Sequence, residues 1–302
     1  MTCCVAALCD GGKSIILVAD RMVGTGMIEG EPDIKKVRQL HKDWRVMIAG
    51  NDIAPSFPII DDAKSKLGKG SVSVGKAMRT IYDSYCAERN AQAEAVYLAP
   101  LGWKMGQFNS PLSSVILPSS RKEIAAKIAD YRLDVGLLVA GFDDRGEGHL
   151  FTLDDDDNRG RPQRHDIPGY RAIGSGSYGA MYMMAYREVS RSMPLRLVLY
   201  HAIEGKYFGE RAGGVGIHTD TYIMRAGEPV FRIKEKVVED YLFKLCEKLK
   251  PREFNQPHVD LLNSLPGTSI RRLPKLHRVK EKGDWIIRGE STRKVDSADP
   301  SE

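Results

Sequence analysis

Met1-Thr2-Cys3-Cys4-Val5-Ala6-Ala7-Leu8-Cys9-Asp10-Gly11-Gly12-Lys13-Ser14-Ile15-Ile16-Leu17-Val18-Ala19-Asp20 opens the chain. Residues 5–8 read as an apolar strand. Asp10-Gly11-Gly12 is a strong turn signal, because consecutive Asp and Gly accept the backbone conformations that a tight hairpin needs. Residues 14–19 are apolar almost without interruption, the pattern of a strand buried on both faces. Asp10 and Gly11 also cut the first apolar run too short for the core of a secretory signal peptide. The first twenty residues therefore read as a β-hairpin whose first strand runs over residues 5–8.

Further along, residues 36–40 and 45–49 predict a second hairpin, turning at Lys42-Asp43. Helices are expected at about 52–67, where Pro55 and Pro58 limit the start, and at about 73–94, where Val74, Ala77, Met78, Ile81 and Tyr85 keep a spacing of three to four. A short strand is expected at 96–98, then an irregular stretch over 99–134 with a helix at 121–131. A second block of strands follows at 135–140 and 149–153, closed by the polar turn 154–160. Gly174-Ser175-Gly176-Ser177 precedes a helix at 177–191, and Pro194 can begin another at 195–208. Residues 215–224 and 229–233 read as a last strand pair around Gly227, and 234–249 as a final helix.

Blocks of strands separated by helix pairs fit two stacked antiparallel sheets between helix layers, an α+β arrangement, and do not fit the strict alternation of a parallel sheet. Beyond Pro251 apolar anchors thin out. The expected organisation is one domain over 1–250, with an insertion at about 99–134, and an extension over 251–302 whose last part is flexible.

Composition narrows the function classes. The 302 residues carry a net charge of +5, with both signs interspersed, so no nucleic-acid partner is expected. No apolar run approaches the roughly 20 residues of a membrane span. Five cysteines without a CxxC pair or histidine partners fit a reducing cytoplasm better than a disulfide framework, and no metal or cofactor is expected. The run at 154–157 lacks the glycine and final Glu of a calcium loop, so it reads as a solvated turn. His218 and Asp220, two apart on a strand, read as surface or packing residues.

Thr2 holds the chemistry. Removal of Met1, usual when a small residue follows, would leave a free α-amine beside the threonine hydroxyl. A hydroxyl needs a base, and an α-amine with an ordinary pKa of about 7.7–8.0 can serve as one. On this reading no long propeptide precedes the nucleophile. A Met-Thr start alone is a weak signal, and its context strengthens it. Val18-Ala19-Asp20-Arg21, Lys35-Lys36-Val37 and Met47-Ile48-Ala49-Gly50 follow in order, sixteen residues from Asp20 to Lys36 and fourteen from Lys36 to Gly50. Later come the segments 136–143 (GLLVAGFD) and Ala172-Ile173-Gly174-Ser175-Gly176-Ser177.

Over about 2–98 and 135–249 these features resemble the proteasome β-subunit family, including its simpler bacterial ATP-dependent relatives. The resemblance implies the N-terminal nucleophile (Ntn) hydrolase fold, a four-layer αββα sandwich. It implies a threonine peptidase acting through an acyl-enzyme on Thr2. Lys36 would lie beside Thr2, Asp20 would hold Lys36, the Gly50 N–H would form the oxyanion hole, and Ser175 would orient the α-amine. It also implies peptide or protein substrates, a homo-oligomeric ring, and an ATP-dependent unfoldase as a candidate partner.

Two departures stand out. The interval from Thr2 to Asp20 is two residues longer than in the family, an insertion that the turn at 11–13 can absorb. The serine and aspartate that precede the family's Gly-Gly pair are replaced by Ala212 and Gly209. A catalytically silent subunit, or an amidohydrolase or transpeptidase on the same Thr2 site, therefore stays open. So does a lesser alternative, a cysteine nucleophile at Cys3 or Cys4, neither of which would own the α-amine.

Overall fold

The computed structural model describes residues 2–24, 29–30, 35–154, 160–233, 276–281 and 284–289. The N-terminal hairpin forms as its sequence requires: β1 (Cys4–Cys9) and β2 (Ser14–Asp20) pair antiparallel, Cys4 opposite Ala19 and Cys9 opposite Ser14. Every residue of both strands is buried. Two short strands, β3 (Val23–Gly24) and β4 (Glu29–Gly30), pair with each other. The second hairpin follows as β5 (Val37–Gln39) and β6 (Trp44–Gly50).

Helix α1 (Ser56–Leu67) starts once Pro55 has set the backbone, and its buried face recurs at Ile59, Ile60, Ala63 and Leu67. Helix α2 (Val74–Tyr97) is capped by the Ser73 side chain, which accepts from the Lys76 N–H. The strand expected at 96–98 is instead the last turn of α2. The Leu98 N–H still reaches the Glu94 carbonyl, and Val96 is exposed, so no sheet edge is at hand to pair with it. The 99–134 interval holds two 3-10 turns, the short α3 (Met105–Phe108) and α4 (Pro118–Asp130). Then come β7 (Val135–Phe142), β8 (Gly148–Leu153), β9 (Gln163–Arg164), β10 (Tyr170–Ile173), α5 (Ser177–Tyr186), α6 (Leu195–Gly209), β11 (Thr219–Arg225) and β12 (Phe231–Ile233). Helix α5 is shorter than expected because Glu188 adopts a left-handed conformation (φ 51°) that the helix cannot continue through.

Two five-stranded antiparallel sheets result, ordered β10-β1-β2-β11-β12 and β5-β6-β7-β8-β9. They face each other. Ala6, Leu8, Ile15 and Leu17 of the first meet Met47, Leu138, Ala140 and Leu150 of the second in one core. Alternation along the strands fixes the outer face of the second sheet: Val46, Ile48, Leu137 and Val139 point the other way, onto Ile59, Ala63, Ile81 and Tyr85 of α1 and α2. Helix α6 packs on β1 and β2, and α5 on β10 and β1, covering the first sheet. The chain is thus an α+β protein built on two packed antiparallel sheets.

The chain divides into two compact units, Met1–Val238 and Glu239–Glu302. In the second, β13 (Leu276–Glu281) and β14 (Asp284–Gly289) form an antiparallel pair that the sequence reading, which expected only a loose extension, did not anticipate. The helix expected at 234–249, the boundary near 250 and the turn residues 155–159 lie outside the described residues. Among the described residues, no helix is long and apolar enough to cross a membrane.

Candidate active site

Thr2 precedes β1 and points toward the second sheet. Its side chain is 2% exposed, and the Lys36 Nζ donates to Thr2 Oγ1 at 2.6 Å. Lys36, directly before β5, is brought there because its carbonyl accepts the Ile48 N–H of β6. The same Nζ donates to Asp20 Oδ1 at 2.8 Å. Asp20, the last residue of β2, is fully buried, and backbone donors surround its carboxylate. The Cys3 N–H reaches Oδ1 at 2.9 Å, and the Met22 and Gly216 N–H groups reach Oδ2, each at 3.0 Å. A buried carboxylate with a cation and three N–H donors is well compensated for the loss of water.

Ser175 meets the other end of Thr2. The Thr2 N–H, which is the atom that becomes the α-amine once Met1 is removed, donates to Ser175 Oγ at 3.2 Å. The Gly176 N–H donates to the Thr2 carbonyl at 3.0 Å. Gly174 has φ +92°, and a Cβ there would overlap the Thr2 carbonyl oxygen, so only glycine lets this loop close over Thr2. Gly50, at the end of β6, has φ +148°, and a Cβ there would overlap the Asp134 carbonyl oxygen. Thr2, Gly50, Asp134, Arg171, Ser175 and Tyr178 border one open cavity of about 650 Å³. Of the five residues singled out from the sequence, Thr2, Gly50 and Ser175 border this cavity, while Lys36 and Asp20 are buried outside its lining and reach it through the hydrogen bond from Lys36 to Thr2.

The neighbouring thiols are poor nucleophiles. Burial, with the Asp20 charge adding to it, pushes Cys3 up to about 12. Burial raises Cys4 well above its ordinary value too. Cys4 turns toward the second sheet, on the same face as Thr2, where its Sγ contacts the Ile48 carbonyl at 3.8 Å.

The sequence reading places Asp220 as a surface or packing residue and gives Lys206 and Gly216 no role in the site. Asp220 is buried and pairs with Arg21 at 2.8 Å and Arg232 at 2.6 Å, which anchors the backbone next to Asp20. Burial opposes its ionisation, but the two guanidinium groups hold the carboxyl below its usual range. Lys206 and Gly216 complete the wall behind Asp20. A lysine in the last turn of a helix reads locally as a partner for the helix dipole, and nothing in its neighbours marks it as buried.

No protein-family model matches the chain, and a comparison with curated proteins finds no relative.

Proposed function

We propose that this chain is a threonine-type N-terminal nucleophile hydrolase of the proteasome β-subunit type, which cleaves peptide bonds through an acyl-enzyme on Thr2. The observation that carries the reading is the Lys36 ammonium, held between Thr2 Oγ1 at 2.6 Å and Asp20 Oδ1 at 2.8 Å, with Ser175 Oγ at 3.2 Å from Thr2 N. Packing of two antiparallel sheets with α1 and α2 on one side and α5 and α6 on the other supports the same fold.

With Met1 removed, the neutral α-amine of Thr2 takes the hydroxyl proton as Oγ1 attacks the substrate carbonyl. Lys36 favours the developing alkoxide by its charge. The tetrahedral oxyanion is assigned to the Gly50 N–H, and donors of this kind contribute about 10²–10³ in rate. The ammonium then returns its proton to the departing amine, which leaves the acyl ester on Oγ1, and water cleaves that ester by the same route.

A homo-oligomer fits the surface. Tyr178, Tyr182 and Tyr186 recur at intervals of four along α5 and are each more than 65% exposed, on a helix that carries no charged residue. Such an uncharged aromatic stripe is usually covered in an assembly. The cytoplasm is the proposed compartment.

The alternative of a silent subunit keeps one specific motive, the replacement of the family's aspartate and serine by Gly209 and Ala212. One experiment separates the two. Intact mass is measured after incubation with a peptide epoxyketone, beside Thr2→Ala. Loss of Met1 with one adduct per chain, absent in Thr2→Ala, is the expected result. A processed but unlabelled chain, with access of the peptide to the cavity shown separately, would sink the peptidase reading.

A further inference from the structure

A second ion pair lies directly behind the first. Lys206, in the last turn of α6, is 1% exposed, and its ammonium is saturated: Nζ donates to Glu210 Oε1 at 2.5 Å, to the Gly216 carbonyl at 2.7 Å and to the Ile217 carbonyl at 3.0 Å. Three donors meet three acceptors. Gly216 is held from both ends, because its N–H is the donor to Asp20 Oδ2 at 3.0 Å. One residue therefore separates the Lys206–Glu210 pair from the Asp20–Lys36 pair, and Lys36 in turn holds Thr2 Oγ1.

The site has no room for the aspartate that relatives of this type would carry at position 209. A Cβ on Gly209 would lie 2.7 Å from Cys3 Sγ and 2.8 Å from the Gly176 carbonyl. Gly209 is nevertheless the end of α6, three residues after Lys206, so the same helix end reaches the site through a different residue. Burying an ammonium is unfavourable unless it is fully paired, and this one is paired to the loop that reaches Asp20. The Cys3 thiol lies in the field of all four charges, Asp20, Lys206, Glu210 and Lys36, which places both pairs around the residue next to the nucleophile.

We propose that Lys206 and Glu210 are positioning residues for the Thr2 site: by clamping the carbonyls of residues 216 and 217 they present the Gly216 N–H to Asp20 and so fix the Asp20–Lys36–Thr2 chain. They take over, from behind, the ordering role left open at Gly209 and Ala212. This inference rests on the Thr2 reading, and its test separates the two.

The test uses the full chain, with Lys206→Met and, to avoid stranding a buried carboxylate, the double variant Lys206→Met/Glu210→Gln. Two quantities are read. Amide exchange at Gly216 reports the linkage without any chemistry at Thr2. The rate constant and the half-saturation concentration of labelling by a peptide epoxyketone report its consequence. In a folded variant Gly216 exchanges faster, and the labelling rate constant drops about 10–100-fold, as small misplacements of catalytic groups do, with half-saturation unchanged. A role confined to stability would lower the melting temperature and leave that split absent. Wild-type exchange and wild-type labelling in either folded variant overturn the proposal. A wild-type chain that takes no label strikes down the Thr2 reading instead, and exchange at Gly216 still decides whether Lys206 holds the loop.

Discussion

At the scale of single residues, the site depends on side chains that are absent as much as on those present. Gly174 and Gly50 let two backbone segments close on Thr2 and the cavity where any Cβ would overlap a carbonyl. Gly209 belongs to the same group for a different reason, the bulk of Cys3 and the Gly176 carbonyl. Introducing the aspartate and serine of the proposed family with Gly209→Asp and Ala212→Ser should therefore harm this protein. Overpacking of this kind is typically worth about 1–3 kcal/mol, read here as a lower denaturant midpoint with an unchanged slope. Adding Cys3→Ala should recover only part of the loss, since the Gly176 carbonyl still blocks the new Cβ. A double variant as stable as the wild type would show that the loop yields and that the steric argument is wrong.

Among the secondary-structure elements, α4 is held differently from the rest. None of its residues is buried, so the apolar face that anchors α1 and α2 is missing. Its anchor is polar. Arg89 of α2 donates to the Ile128 carbonyl at 2.8 Å, the Ala129 carbonyl at 2.8 Å and the Tyr131 carbonyl at 3.0 Å, gathering carbonyls at the helix end. Charged hydrogen bonds of this sort contribute about 1.5–3 kcal/mol when partly buried. Arg89→Ala should therefore accelerate amide exchange through residues 118–130 and leave exchange in β1, β2 and β6 unchanged. Labelling of Thr2 should persist as well. Equal protection of α4 in wild type and variant would place its anchor elsewhere.

For the molecule as a whole, three groups at one end of β8 contribute to the response to pH. The Asp166 carboxylate raises the pKa of His149 above 6.5, outweighing burial, with the Asp143 carboxylate adding to it. That stabilisation is complete below the unfolded value and is lost as pH rises through the folded one. His165 behaves oppositely. Burial, aided by the Arg171 charge, lowers it from 6.5 to about 4, so folding loses stability as pH falls across that interval. Burial works against the Asp166 charge, but His149, the Leu150 N–H and Arg164 hold its carboxyl down to about 2, which adds a second loss as pH falls below 3.8. Thermal melts should therefore peak near about pH 6.5 and decline on both sides. His165→Gln, which keeps a polar partner for Thr152, should flatten the limb between pH 6.5 and 4. An acid limb as steep in the variant would assign it to other groups.

How much of this was legible in advance follows from which interactions are local. The hairpin over residues 4–20 was readable because its turn chemistry and its apolar runs lie side by side in the chain. The same holds for α1, α2, α6 and the pairing of β7 with β8. Elements whose existence depends on a distant partner were not readable. The strand β10 forms because β1 offers it an edge, and residues 96–98 stay helical because no edge is offered. The site divides along the same line. Thr2, Asp20, Lys36, Gly50 and Ser175 stand at element ends in a recognisable order, so the sequence by itself determined their identities and their spacing. Only the tertiary structure decided that Thr2, Asp20, Lys36 and Ser175 meet within hydrogen-bonding distance with Gly50 on the same cavity as Thr2, and that Lys206, Gly216 and Asp220 stand behind them. Those three act through burial and through contacts made across the packed sheets and helices, and burial belongs to the assembled fold rather than to any stretch of chain.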